Sequence, residues 1–109
     1  MLHKMKLKEN PFMRIKNGTK NVEFRLYDEK RRKIMIGDEI EFSKLPDMQE
    51  KMLVKVLDLY RDDSFEKLFR KLFTDEEEIQ RKVSSMRQFY SSDEENKYGV
   101  LGIKISLIK

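Results

Sequence analysis

Near the end of the chain, Leu101, Ile103, Ile105 and Leu107 alternate with other residues from Val100 to Ile108. That is a strand pattern, and it follows three successive helix starts. All other strand patterns come before those helices, so the last strand must return to a sheet laid down by the first half of the chain. Strands that bracket a helical insertion, with no βαβ spacing, argue against a doubly wound sheet. The expectation is an α+β fold: a small, mostly antiparallel β-barrel with peripheral helices, in which closure removes exposed strand edges. At 109 residues there is room for a single domain, 1–109, and no second core.

The earlier elements follow from local pattern. His3 to Leu7 alternates as a first strand, and Asn10-Pro11 predicts a capped helix start with proline at its first position. Phe12 and Ile15 face inward, and Asn17-Gly18 ends that helix. A second strand covers Asn21 to Leu26, with Val22, Phe24 and Leu26 on the core face and Glu23 and Arg25 on the other. Tyr27 to Lys33 is polar, Gly37-Asp38 makes a turn, and Glu39 to Phe42 is a third strand. Met52 to Tyr60 has apolar residues on both faces and reads as a central strand.

Capping boxes are expected at Asp63 with Glu66, Thr74 with Glu77 and Ser92 with Glu95. The first of these helices carries Phe65, Leu68, Phe69, Leu72 and Phe73 at helical spacing, which is a core stripe. The second runs from about Asp75 to Phe89 with Ile79, Val83 and Met86 inward, and the third from Ser92 to Tyr98.

Charge makes up 40% of the residues and is unevenly placed. Residues 1–36 hold eleven basic side chains against four acidic ones, a net +7, which leaves −3 for the remainder. The basic third is where an anionic partner is expected. With no cysteine and a lone histidine, His3, neither disulfides nor a metal site is expected, and no cofactor is implied. No stretch approaches the roughly 20 apolar residues of a membrane span, and no signal-peptide pattern opens the chain, so a cytoplasmic protein without membrane contact is expected.

The densest chemistry lies in Gly18-Thr19-Lys20-Asn21-Val22-Glu23-Phe24-Arg25. It sets a lysine at a turn, then a carboxylate and a guanidinium along one strand. Lys20 can meet a phosphate as a point charge, or serve as a base; its plainer role is an ion pair with Glu23. Arg25 can hold a phosphate or base edge through its planar fork while Glu23 accepts from an amino group. Lys16 lies just before the turn, and Lys30, Arg31 and Arg32 follow just after the strand. Bases need aromatic partners, and Tyr27, Tyr60, Phe89, Tyr90 and Tyr98 are candidates. Tyr90, in a polar stretch before a helix cap, is the one favoured here. His3 is a strand residue with packing as its expected role.

Gly18-x-Lys20-x-x-Glu23-x-Arg25, followed by Leu26 to Arg32, Gly37-Asp38-x-Ile40-x-Phe42 and Tyr98-Gly99-Val100-Leu101-Gly102-Ile103, resembles the ASCH domain (activating signal cointegrator homology) family of the PUA-like superfamily. The resemblance covers nearly the whole chain in the family's order. It implies a PUA-like β-barrel and RNA binding in a cleft lined by this motif. Some small bacterial members resemble amidohydrolases that deacylate acylated cytidine through a lysine, a threonine and a glutamate, and nuclease activity is also proposed in the family. In those amidohydrolases a threonine stands three residues after the lysine, where this chain has Glu23, and a carboxylate cannot replace that hydroxyl.

The expectation is therefore a module that binds RNA, a nucleotide or a modified nucleoside through Lys16, Lys20, Glu23, Arg25, Lys30, Arg31, Arg32 and Tyr90. The alternative is a hydrolase on a modified nucleoside, with Lys20 as base and Glu23 as acid or water activator, or a ribonuclease. A third reading, a protein-interaction module, requires the Phe65–Phe73 stripe to be exposed.

Overall fold

Three strands and a helix precede the long fourth strand, and three successive helices separate it from the last strand, in a computed structural model that describes residues 1–109. The strands are β1 (Leu2–Leu7), β2 (Val22–Leu26), β3 (Glu39–Lys44), β4 (Lys51–Asp62) and β5 (Val100–Leu107). The helices are α1 (Glu9–Lys16), α2 (Phe65–Leu72), α3 (Glu76–Arg87) and α4 (Ser92–Tyr98), with a 3₁₀ turn at Arg31–Lys33. The five strands form a mixed sheet in the order β1-β3-β4-β5-β2, so β4 is central as expected and the fold is α+β. No helix is long and apolar enough to cross a membrane.

Contacts divide the chain into two compact units. The first comprises Met1–Glu23, Ile34–Leu59 and Ile103–Lys109. Here β1 pairs parallel with β3, His3 opposite Ile40 and Met5 opposite Phe42. In turn β3 pairs antiparallel with β4, Ile40 opposite Val54 and Phe42 opposite Met52. Paired residues share a face, so these positions make two cross-strand rows, and all six side chains are buried. From α1, Phe12 and Ile15 are buried in the same unit.

The first helix starts earlier than expected. Lys8 stands at its N-cap without a side-chain bond, and the Phe12 amide donates to the Lys8 carbonyl. Pro11 is thus the third helical residue, still among the first-turn positions whose missing N–H costs nothing. On β4, Leu53 and Leu59 are half-buried and Leu57 is exposed, so its second face is covered less than its apolar pattern suggested.

The second unit comprises Phe24–Lys33 and Tyr60–Gly102. Its core is the α2 stripe: Phe65, Leu68 and Phe69 pack with Leu26, Ile79 and Val100. Phe24 meets Phe69 edge-on at 4.8 Å, and Tyr90 stacks on Phe65 at 5.6 Å. Aromatic pairs in these geometries add to what burial alone supplies. The stripe is buried, which removes the protein-interaction reading built on its exposure.

The helix caps lie one residue from the expected positions. Ser64 accepts from the Lys67 amide, and Asp75 accepts from the Glu77 amide. Ser91 forms the reciprocal box with Glu94. Residues 63, 74 and 92 each had an acid three positions on, and the neighbouring position offered an equally good cap, so composition alone could not choose between them. The correction matters for Glu95. Freed from a capping role, this carboxylate is buried, accepts from the Phe65 amide at 2.7 Å and pairs with Arg87 at 2.6 Å. It ties the start of α2 to α4.

Candidate functional site

The turn after α1 is held by its own backbone and by Asn17. Gly18 takes φ +86°, a conformation that side chains resist, and so lets the chain reverse. The amides of Thr19 and Lys20 both donate to the Arg14 carbonyl, at 2.9 and 3.0 Å. The Thr19 hydroxyl donates to the Asn17 side-chain oxygen at 2.8 Å, so it is already engaged in holding the turn. This rigid turn leads Lys20 back over the start of β2.

Lys20 Nζ lies 2.9 Å from a Glu23 carboxylate oxygen. Glu23 is only 5% exposed, and the Lys20 side chain 20%. The strand pattern placed Glu23 on the outer face with Arg25; instead it is more buried than its neighbours Val22 and Phe24. Because a lysine folds over it from the preceding turn, the carboxylate is sequestered on a face where alternation alone predicts solvent. A pair out of water is governed by different energetics from an exposed one: desolvation is large, and loss of either member leaves an uncompensated charge.

Beside this pair lies a hollow of about 330 Å³ lined by Ile15, Lys16, Gly18, Lys20, Asn21 and Ile105, among others. Lys16 and Lys20 thus border the same space. Lys16 also bridges to Glu50, which Lys44 contacts at 3.1 Å. The two lysines, Lys16 foremost, hold the Glu50 carboxyl below its ordinary range.

The remaining sequence candidates belong to the second unit. Arg25 is half-buried on β2, and Lys30 is exposed. Arg31 is committed to Asp28, which takes its guanidinium at 2.9 Å and its amide at 3.1 Å. Arg32 rests on the Tyr27 ring at 4.5 Å. Tyr90 packs on Phe65 and lines neither hollow described here. Lys16 and Lys20 therefore border one hollow, with Glu23 paired to Lys20 but outside its lining, while Arg31 and Tyr90 are set into local packing.

Sequence reading missed two features. One is a cleft of about 730 Å³ in the second unit, lined by Tyr27, Arg61, Lys67, Asn96, Lys97 and Tyr98 among others. Tyr27 and Tyr98 were visible as aromatic candidates, but nothing local linked them to Arg61. The other is the His3–Asp38 bond of 2.8 Å, joined by the N-terminal amine at 3.2 Å. β1 pairs with β3, not with β2, and so delivers His3 to the turn before β3. The His3 hydrogen bond, the Met35 amide and the N-terminal amine hold the Asp38 carboxyl down at about 2. No group of three or more carboxylate or imidazole side chains is placed to hold a metal.

A rigid turn, a sequestered lysine–carboxylate pair and an adjoining hollow thus sit on an α+β frame. The ASCH domain family model matches residues 5–109, and the chain belongs to that family. Among solved structures it is similar to hypothetical protein PH0355, with 36% identity and a TM-score of 0.84 over 99% of this chain and 100% of that one. It is also similar to protein PF0455 from Pyrococcus furiosus, with 33% identity and a TM-score of 0.74 over 100% and 99% of the two chains. A serine-to-alanine variant of ZmASCH from Zymomonas mobilis shares the fold at 13% identity, with a TM-score of 0.62 over 96% of this chain and 67% of that one. A search of curated proteins finds no match.

Proposed function

We propose that this ASCH domain binds RNA or a nucleotide at the hollow bordered by Lys16, Gly18 and Lys20. The observation that carries the reading is the sequestered Lys20–Glu23 pair at 2.9 Å beside that hollow. Well-packed apolar side chains usually stabilise a fold as well as a buried ion pair does, so such a pair at the edge of a cavity invites a role in the cavity. An ammonium has three donors, and one committed to Glu23 leaves two for phosphate oxygens. Lys16 adds charge at the same rim.

Binding is favoured over hydrolysis by the same pair. An ammonium has no lone pair with which to take a proton, so Lys20 would have to give up a proton before it could act as a base. The binding reading needs no such step. Incubation with acylated cytidines is expected to give no product, and product that disappears in Lys20→Ala would favour the hydrolase instead.

The binding test is fluorescence anisotropy with short single-stranded RNA at two salt concentrations. Two or three phosphate contacts should give a log–log salt slope of about −1.4 to −2.1, at roughly 0.7 per phosphate. Lys20→Ala should weaken binding, and Lys16→Ala should weaken it and reduce the slope. Absence of binding, or wild-type affinity in both variants, removes the proposal.

A further inference from the structure

Arg61 and Lys97 line the cleft of the second unit, and Arg32 rests on the ring of its Tyr27, all three without a carboxylate partner. Arg61 lies 3.9 Å from the centroid of Tyr27, Arg32 4.5 Å from the same ring, and Lys97 5.2 Å from that of Tyr98. None of the three is in an ion pair with a carboxylate. The acids of the lining, by contrast, have their own partners. Asp62 pairs with Lys71 at 2.6 Å, Glu95 with Arg87 at 2.6 Å and Asp63 with Lys67 at 3.5 Å. The uncompensated charge facing this cleft is therefore positive.

We infer that this cleft is a second, independent nucleotide site, taking a phosphate on Arg61 and Lys97 and a base against Tyr98 and the Arg61 plane, with Arg32 adding positive charge behind the Tyr27 ring. Aromatic faces hold these cations in place without neutralising them, which keeps them available to an anion. Lys97 in the last turn of α4 is also favoured there by the helix dipole, but that account does not reach Arg61 on β4 or Arg32 in the 3₁₀ turn. A bare phosphate would leave most of the space unfilled: about 730 Å³ falls within the usual range for small-molecule sites. Bases stack on tyrosine rings and on guanidinium planes, and Asn96 supplies an amide that can pair with a base edge. The inference does not depend on what the Lys20 hollow binds.

Amide chemical-shift mapping tests it on the whole chain, titrated with AMP, CMP, cytidine, inorganic phosphate and a short single-stranded RNA. The monophosphates or the RNA should shift the amides of Arg61, Asn96, Lys97 and Gly99. If the RNA shifts them and the free nucleotides do not, the site takes its nucleotide from a strand. Arg61→Gln and Lys97→Gln, both at exposed positions, should each weaken this response about tenfold or more, as expected for a lost charged hydrogen bond. Lys20→Ala should leave it intact, and shifts at Gly18 and Asn21 report the other hollow separately. The inference is overturned if these amides do not move, if Arg61→Gln and Lys97→Gln bind as wild type, or if phosphate alone binds as tightly as the nucleotides.

Discussion

Replacing Lys20 by methionine keeps the length of the stem and removes the ammonium that lies 2.9 Å from the 5%-exposed Glu23 carboxylate. At the observed 2.9 Å and an effective dielectric of about 20, the gross attraction is about 6 kcal/mol, part of which offsets desolvation. Losing one member of a buried pair costs about 3–5 kcal/mol. With the Lys20 side chain 20% exposed, water reaches the vacated position, and the low end, about 3 kcal/mol, applies. An unfolding entropy of about 2.1 cal/mol/K per residue over 109 residues converts that into a Tm lower by about 13 °C. Glu23→Gln leaves an ammonium near water and should cost less, about 1–2 kcal/mol. The double variant should be more stable than Lys20→Met alone, with a coupling of about 1–3 kcal/mol between the sites. Calorimetry and urea unfolding of the wild type and three variants at neutral pH measure all of this. A Tm change under about 3 °C for Lys20→Met, or strict additivity in the double variant, would refute the claim that the pair is sequestered and coupled.

Glu95→Ala removes the acceptor of the Phe65 amide and the partner of Arg87, and should cost about 3–5 kcal/mol by urea unfolding, with Glu95→Gln milder because it keeps an acceptor. Gly99 has φ 76° and ψ −178°, and a Cβ there would lie 3.2 Å from the Asp62 carbonyl oxygen, so Gly99→Ala should lower stability by about 1–3 kcal/mol in the same assay. Asp38 gives the acid limb. Its folded pKa is depressed from 3.8 to about 2, so its stabilisation is present above 3.8 and is lost as pH falls through about 2. Tm measured from pH 5 to pH 2 should fall more steeply for wild type than for Asp38→Asn, and parallel curves would contradict the assignment.

Periodicity made most of the fold readable. The α2 stripe and the alternation of β5 involve many residues repeating one choice, so an error at any one position changes little. The sheet order was less accessible because it depends on contacts far apart in sequence; nothing near His3 announces that β1 pairs parallel with β3. Caps failed for the opposite reason. They are decided by a single residue, and Asp63-Ser64, Thr74-Asp75 and Ser91-Ser92 each offer two competent side chains in a row. The Lys20–Glu23 ion pair was legible in the motif segment, whereas the cleft around Tyr27 was not, since Arg61 and Lys97 are brought to it by β4 and α4.

Glu23 is an exception of another kind. A cap shifted by one residue swaps one adequate partner for another at almost no cost, so it carries no information about function. Burying a carboxylate where strand alternation leaves it to solvent costs desolvation, and that cost is met by drawing Lys20 over it from a turn fixed by Gly18 and Asn17. Three separate local features thus serve one charged pair that an apolar pair could replace in a purely structural role. Conflicts between local pattern and final structure concentrate where a fold gives up stability for a site. Under the proposed function the Lys20–Glu23 pair is that kind of conflict, which is why the double-variant cycle and the RNA titration should be read together. A variant that restores stability without the charges and also keeps RNA affinity would show the pair to be structural alone.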